Sequence, residues 1–338
     1  MPGRSALLLL PLALCLCLCP APARAAPPGP PADFPALGNN TLLGVFERVA
    51  VRNTTVFLLL ADAAYEAMTR VTLQYFHRLL PRDRVLVITM SPAVVAAFRG
   101  DPGVHAMLAP QSKFCRYRPD DPAWDAKKRF GNPAFHKIAR CKQSMILAVL
   151  QAGYNAFWMD SDSILLRDPW EVLPFRHSWE GACMVPLPPP AGMNLAAMDP
   201  RIQFRTRTRR PNVGLALWRS REDTIRAQQR LLWGMTFGFK DFPKNELQDE
   251  FIFQEMLRDK EVSTWCVPPE HDGLGCNHLH WEANLYTGRI WSLHAACHET
   301  HKKPVWLHVY ARWWNRTGSL KSAYTEYRAA VRHVRRRG

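Results

Sequence analysis

The chain has 338 residues, 47% of them hydrophobic and 22% charged. That composition excludes an intrinsically disordered protein and supplies a full core for one large domain or two small ones. The formal net charge of +15 favours anionic partners through its long-range field: nucleotide diphosphates, acidic glycans, nucleic acid or membrane surfaces. A basic surface with no dedicated partner is the plain alternative.

Arg4 precedes an apolar run from Ala6 to Cys19, broken only by Pro11, and Ala23-Arg24-Ala25 follows. This is the pattern of a secretory signal over residues 1–25. The run is shorter than the roughly 20 apolar residues a spanning helix needs, which favours a cleaved signal peptide over an uncleaved signal anchor. Only the anchor would put the protein in a membrane. Either form delivers the chain to the secretory pathway: the ER or Golgi lumen, or secretion. Residues 26–53, Pro- and Ala-rich at their start, read as a stem. Beyond the leader, six cysteines remain: Cys115, Cys141, Cys183, Cys266, Cys276 and Cys297. An even number in an oxidising compartment permits disulfides without fixing their pairing, and none shows close C-x-x-C zinc spacing. N-glycosylation sequons stand at Asn39, Asn53 and Asn315, in keeping with a lumenal or secreted chain.

The folded part is expected to start near Thr54 and to run to about residue 330, with a basic tail over 331–338. Val56 to Leu60 is a short apolar run suited to a buried parallel strand. Ala64, Met68, Val71, Tyr75 and Leu79 then recur at helical spacing, and Pro81 stops that helix. Val85 to Ile88 is the next strand, and Ala93 to Phe98 a short helix. This β-α-β-α opening predicts a doubly wound α/β sheet. No GxGxxG or Walker loop follows the first strand, which counts against dinucleotide and ATP binding.

Residues 110–135 read as loop. Ile138, Cys141, Met145 and Val149 mark one face of a helix, with Gly153 near its end. Ala156 to Met159 is a strand candidate that runs straight into Asp160-Ser161-Asp162. Farther on, Gly181–Val185, Val213–Trp218, Thr264–Val267 and Val305–Val309 read as strands. Glu222–Trp233 and Gln248–Leu257 read as helices. Residues 186–210, proline-rich early and basic late, read as a long loop.

Asp160 and Asp162 hold the clearest chemistry. Two carboxylates two residues apart, at the C-terminal end of a strand, sit on the sheet edge where ligands bind in α/β folds. Both can reach one hard cation that bridges to phosphate oxygens. A nucleotide-sugar diphosphate supplies such oxygens, and a metal there neutralises the leaving group. A lone D-x-D also arises by chance in surface turns.

The stretch Gly153-Tyr154-Asn155-Ala156-Phe157-Trp158-Met159-Asp160-Ser161-Asp162, running on to Arg167-Asp168-Pro169, resembles the nucleotide-diphospho-sugar transferase family, which includes plant cell-wall xylosyl- and arabinosyltransferases. Lys142 stands where the family has a helix lysine. Pro211 to Arg219 is similar to its N-x-G strand, Asp249 to Leu257 to its D-Q helix, and Trp306-Leu307-His308 to Lys321 to its closing segment. Here Glu250 replaces the family's Gln and Gln254 its Asn.

The resemblance implies a GT-A-like fold: a Rossmann-type, mostly parallel sheet flanked by helices. It implies a metal-dependent glycosyltransferase that moves a sugar from a UDP-sugar to an acceptor hydroxyl on a glycan or glycoprotein, with retention and with Mn²⁺ as the metal. Asp160, Asp162 and His308 are the implied metal ligands. Lys142, Asp160, Asn212, Gly214 and Lys321 are the implied donor-binding residues, and Asp249 the carboxylate near the anomeric carbon. Each has an ordinary alternative: a solvated lysine at 142 or 321, tight strand packing at Gly214, a helix N-terminal acid at Asp249. His294, His298 and His301 are rivals to His308, and that cluster reads as structural, with zinc as an alternative. Two other classes stay open: a non-catalytic binder of acidic glycans and a metal-dependent phosphohydrolase. Nucleic acid is not expected as a partner.

Overall fold

The computed structural model describes residues 40–118, 133–184, 210–237, 253, 262–269, 271–274, 289–295, 302–313, 325–330 and 332. The expected helix over 248–257, apart from Phe253, and most of the 186–210 loop lie outside them.

Strand β1 (Thr55–Leu60) is flanked by β2 (Val85–Thr89) and β4 (Asn155–Met159), both parallel to it. Strand β3 (Val104–Leu108) adds outside β2, again in parallel. On the other side β7 (Arg210–Trp218) runs antiparallel to β4, β6 (Trp179–Met184) antiparallel to β7, and β8 (Thr264–Cys266) parallel to β6. The result is a seven-stranded, mostly parallel sheet in the order β3-β2-β1-β4-β7-β6-β8. From β1 the chain first builds outward through β2 and β3, then returns to place β4 on the opposite side of β1. Such a reversal opens a crevice beyond the C-terminal strand ends, and Asp160 follows the last residue of β4 directly.

The central strands read as continuous apolar runs because both faces are covered. On one face Val56, Leu58, Leu86, Ala156 and Trp158 pack with residues of three helices: α1 (Asn40–Val49), α4 (Pro133–Gln151) and α6 (Glu222–Phe237). On the other, Phe57, Leu59, Val87, Phe157 and Met159 meet Leu73 and Phe76 of α2 (Glu66–Leu79), Val94 of α3 (Pro92–Ala97), and Leu173 just after α5 (Pro169–Val172). Each large side chain so buried contributes about 1.5–3 kcal/mol.

A second sheet lies beside the first. Its strands are β5 (Ser163–Leu165), β10 (Ser292–His294) and β9 (Asp272–Leu274), with β10 in the middle, antiparallel to β5. Helix α7 (Lys303–Trp313) buries Trp306, Leu307 and Tyr310 against Met68 of α2 and Ile164 and Leu293 of this sheet.

Two expectations are corrected. Residues 40–49, read as stem, form an amphipathic helix that buries Leu42, Val45, Phe46 and Val49 in the main core. Their i, i+3, i+4, i+7 spacing is that of a core-facing helix. Residues 305–309, read as a strand, belong to α7, where Trp306, Leu307, Tyr310 and Ala311 share one buried face.

Among the described residues two disulfides form, Cys115–Cys141 and Cys183–Cys266. They close loops of 26 and 83 residues, worth about 3.5 and 4.5 kcal/mol in a chain-entropy account. The first ties the segment after β3 to α4 immediately before Lys142. Cys276 and Cys297 lie outside the described residues. No helix among the described residues is long and apolar enough to cross a membrane.

Candidate active site

The turn after β4 is held from three sides. The Asp160 amide donates to the Gly214 carbonyl of β7 at 2.6 Å, and the Ser163 amide to the Asp160 carbonyl at 3.0 Å. The Thr72 hydroxyl of α2 donates to the Ser161 carbonyl at 2.7 Å. These bonds turn the chain sharply from β4 into β5 and leave the side chains of Asp160 and Asp162 on the same side.

The small sheet supplies the third member. The antiparallel register sets His294 opposite Ser163, and the Ala295 amide donates to the Asp162 carbonyl at 3.0 Å. His294 Nε2 thereby stands 3.2 Å from Asp162 Oδ1 and 3.9 Å from Asp160 Oδ2. One ligand atom from each of Asp160, Asp162 and His294 lies within 4.8 Å of the others. Two carboxylates and one imidazole are a donor set suited to a borderline divalent ion. The imidazole is buried, and its Nδ1 has no hydrogen-bond partner among the described residues.

Two lysines balance the carboxylates. Lys142 Nζ of α4 donates to Asp160 Oδ1 at 3.1 Å. Lys303, first residue of α7, pairs with Asp162 Oδ2. Burial alone would raise the Asp162 carboxyl, but the Lys303 ammonium and His294 outweigh it and hold that carboxyl far below its ordinary range. Burial works against the charge on Lys303 too, and Asp162 more than restores it, so its pKa is raised. Asp162 is thus an anion throughout the ordinary pH range.

Gly214 has its place because of this cluster. A Cβ there would overlap Asp160 Oδ2 and His294 Cε1 and would lie 2.9 Å from Asn212 Oδ1. Asn212 shapes the same strand end, its Oδ1 accepting the Gly214 amide at 2.9 Å.

Of the residues singled out from the sequence, the structure brings Asp160, Asp162, Lys142 and Gly214 into one cluster, with Asn212 beside it. Asp249 and Lys321 lie outside the described residues. His308 is corrected: it sits on the exposed face of α7, its ring edge-on to Tyr75 with centroids 6.4 Å apart. It lies five positions after Lys303, and α7 turns its opposite face to the core. His294, read as structural, takes the expected place. Lys303 was missed altogether, although Lys303-Pro304 is a helix-start signal. Trp158, read only as part of the strand over Ala156 to Met159, donates its indole N–H to Asp160 Oδ1 at 2.6 Å.

Comparison with known proteins bears on what this cluster serves. Over 132 residues the chain is 26% identical to the UDP-D-xylose:L-fucose alpha-1,3-D-xylosyltransferase MGP4 of Arabidopsis thaliana. That alignment covers 38% of this chain and 34% of the relative, so the chain spans about a third of the length of the curated relative it matches. Among solved structures, the galactosyltransferase LgtC in complex with donor and acceptor sugar analogs aligns with a TM-score of 0.44 at 13% identity, over 78% of this chain and 97% of that one. The bifunctional glycosyltransferase WbbM aligns with a TM-score of 0.43 at 11% identity, over 78% and 52%. The sequence pattern of the nucleotide-diphospho-sugar transferases matches residues 89–307, more than half of the chain and inclusive of Lys142, Asp160, Asp162, Gly214, His294 and Lys303. The chain therefore belongs to the nucleotide-diphospho-sugar transferase family.

Proposed function

We propose that the protein transfers a glycosyl unit from a UDP-sugar to an acceptor hydroxyl, with a divalent cation, Mn²⁺ by preference, held by Asp160, Asp162 and His294. One observation carries the reading: three side chains able to ligate, two from the turn after β4 and one from β10, converge on one point at the sheet's C-terminal edge, with a lysine on either side. The ion would neutralise the diphosphate as it departs.

The chain's own groups do the rest. Asp160, Asp162 and His294 would hold the cation. The Lys142 and Lys303 ammonium groups, paired with those carboxylates, would each stabilise negative charge on a leaving group held at the cluster. Gly214, lacking a side chain, keeps β7 clear of the cluster.

Retention of configuration, the contact of Asp249 with the transferred sugar and that of Lys321 with the diphosphate follow from the family resemblance. A glycan or glycoprotein acceptor follows from it as well. The direct test is turnover of a panel of nucleotide sugars with Mn²⁺ and after chelation. Turnover of one donor that stops on chelation and returns with Mn²⁺ supports the reading. Release of phosphate from simple esters without any sugar transfer would replace it with hydrolysis.

We further assign the protein to the lumen of the secretory pathway, which the leader, the sequons and the two disulfides support. Expressed in a eukaryotic secretory host, it should lose apparent mass on treatment with an N-glycan-cleaving enzyme, through Asn53, in the turn Arg52–Thr54 ahead of β1, or through Asn315. An unshifted band together with cytosolic fractionation would overturn the assignment.

A further inference from the structure

We infer that Trp158 is the positioning residue of the metal pair: its indole N–H aims the Asp160 carboxylate while its ring face holds Lys142. This rests on the metal reading proposed above. Along β4, Ala156, Trp158 and Asp160 share a face by strand alternation. The indole is buried, and its cross-strand neighbours make room for it: Leu58 in β1, Ala216 in β7 and, beyond Ala216, Gly181 in β6. No side chain fits at Gly181, where a Cβ would meet the Leu215 carbonyl at 2.6 Å and Ala216 Cα at 2.9 Å. The Trp158 N–H points along the strand to Asp160 Oδ1 at 2.6 Å, and Lys142 Nζ stands 5.0 Å from the ring centroid.

This use of a tryptophan differs from that of its neighbours. Trp179, Trp218 and Trp291 are as deeply buried, and their indole nitrogens have no hydrogen-bond partner among the described residues. Those rings fill space, whereas Trp158 spends its polar atom on a carboxylate. A neutral donor suits the task. A lysine that orients Asp160 also cancels its charge and opposes a cation. An indole N–H fixes the carboxylate, carries no net charge and does not titrate. The ring face likewise keeps an attraction for the Lys142 ammonium when its ion pair with Asp160 is given up to the metal. Trp158 thus acts through Asp160 and Lys142 and touches no reacting atom.

The test is Mn²⁺ binding, followed by electron paramagnetic resonance of the free ion, on wild type and Trp158→Phe. Outer-shell hydrogen bonds to metal ligands are worth about 10–100-fold in metal affinity, so the Phe variant should bind Mn²⁺ weaker by that factor. Its metal-free affinity for UDP should stay within about twofold, and turnover should recover as Mn²⁺ is raised. Benzothienylalanine at position 158, which replaces N–H by sulfur and keeps the two-ring shape, should behave alike and removes any question of folding. Wild-type Mn²⁺ affinity in both variants would overturn the role of Trp158 alone. So would equal losses of metal and metal-free UDP binding with a lowered melting temperature. Failure of the wild type itself to bind Mn²⁺ would overturn the metal reading and this inference with it.

Discussion

Gly214→Ala should nearly abolish metal-dependent turnover, although it adds a single methyl group. The added Cβ would intrude on Asp160 Oδ2 and His294 Cε1, with Asn212 Oδ1 at 2.9 Å. Neither side chain can step aside cheaply. Asp160 is tied by Trp158 and Lys142, and its own amide donates to the Gly214 carbonyl. His294 is buried in the middle strand of the small sheet. A displacement of about 1 Å in a catalytic arrangement costs on the order of 100-fold, and overpacking costs about 1–3 kcal/mol of stability. Turnover should therefore fall by about 100-fold or more while the protein still melts cooperatively. An Ala variant with unchanged Mn²⁺ affinity and turnover would mean that the two ligands do not act from the positions described.

The two histidines should separate cleanly. His294→Ala removes a ligand 3.2 Å from Asp162 and leaves two carboxylates to hold the ion, so Mn²⁺ affinity should drop by at least about 10-fold, as it does even for losses outside the ligand shell. His308→Ala removes an exposed ring edge-on to Tyr75, and Mn²⁺ affinity should stay within about twofold. Paired calorimetric titrations decide it. The reverse ranking would restore His308 as the third ligand and displace the small sheet from the site.

What the sequence revealed and concealed follows from the range of the interactions involved. β4 and its acidic pair are legible because a buried strand that ends in two carboxylates is a local pattern, and the two sides of that pattern meet one neighbour each. Lys142 is legible only because its helix precedes the strand at a familiar spacing. His294 is not. β10 is three residues long, and it reaches Asp162 only through pairing with β5, more than a hundred residues earlier in the chain. Val305 to Val309 misleads because a short apolar run suits a strand or a buried helix alike. Tyr310 and Ala311, one turn farther on, and Pro304 in the first turn resolve it as α7. Helix α1 was hidden by the proline-rich residues before it, even though Leu42, Phe46 and Val49 carry a helical period. The second role of Trp158 cannot be read from hydropathy at all, since a core tryptophan and one that donates to a ligand carboxylate look the same in sequence.

The central claim is that the carboxylates beyond β4 hold a cation on which sugar transfer depends, and Asp162→Asn tests it most directly. The substitution keeps the side chain's shape and an oxygen that accepts from Lys303, so far-UV circular dichroism should be unchanged. It removes the negative charge that Lys303 and His294 keep ionised. With the nucleotide sugar that the wild type turns over, and with Mn²⁺ present, the account predicts a loss of at least about 100-fold, beyond the range seen when only a ligand's supporting partner is removed. Near-wild-type, Mn²⁺-dependent turnover by the Asn variant would contradict it.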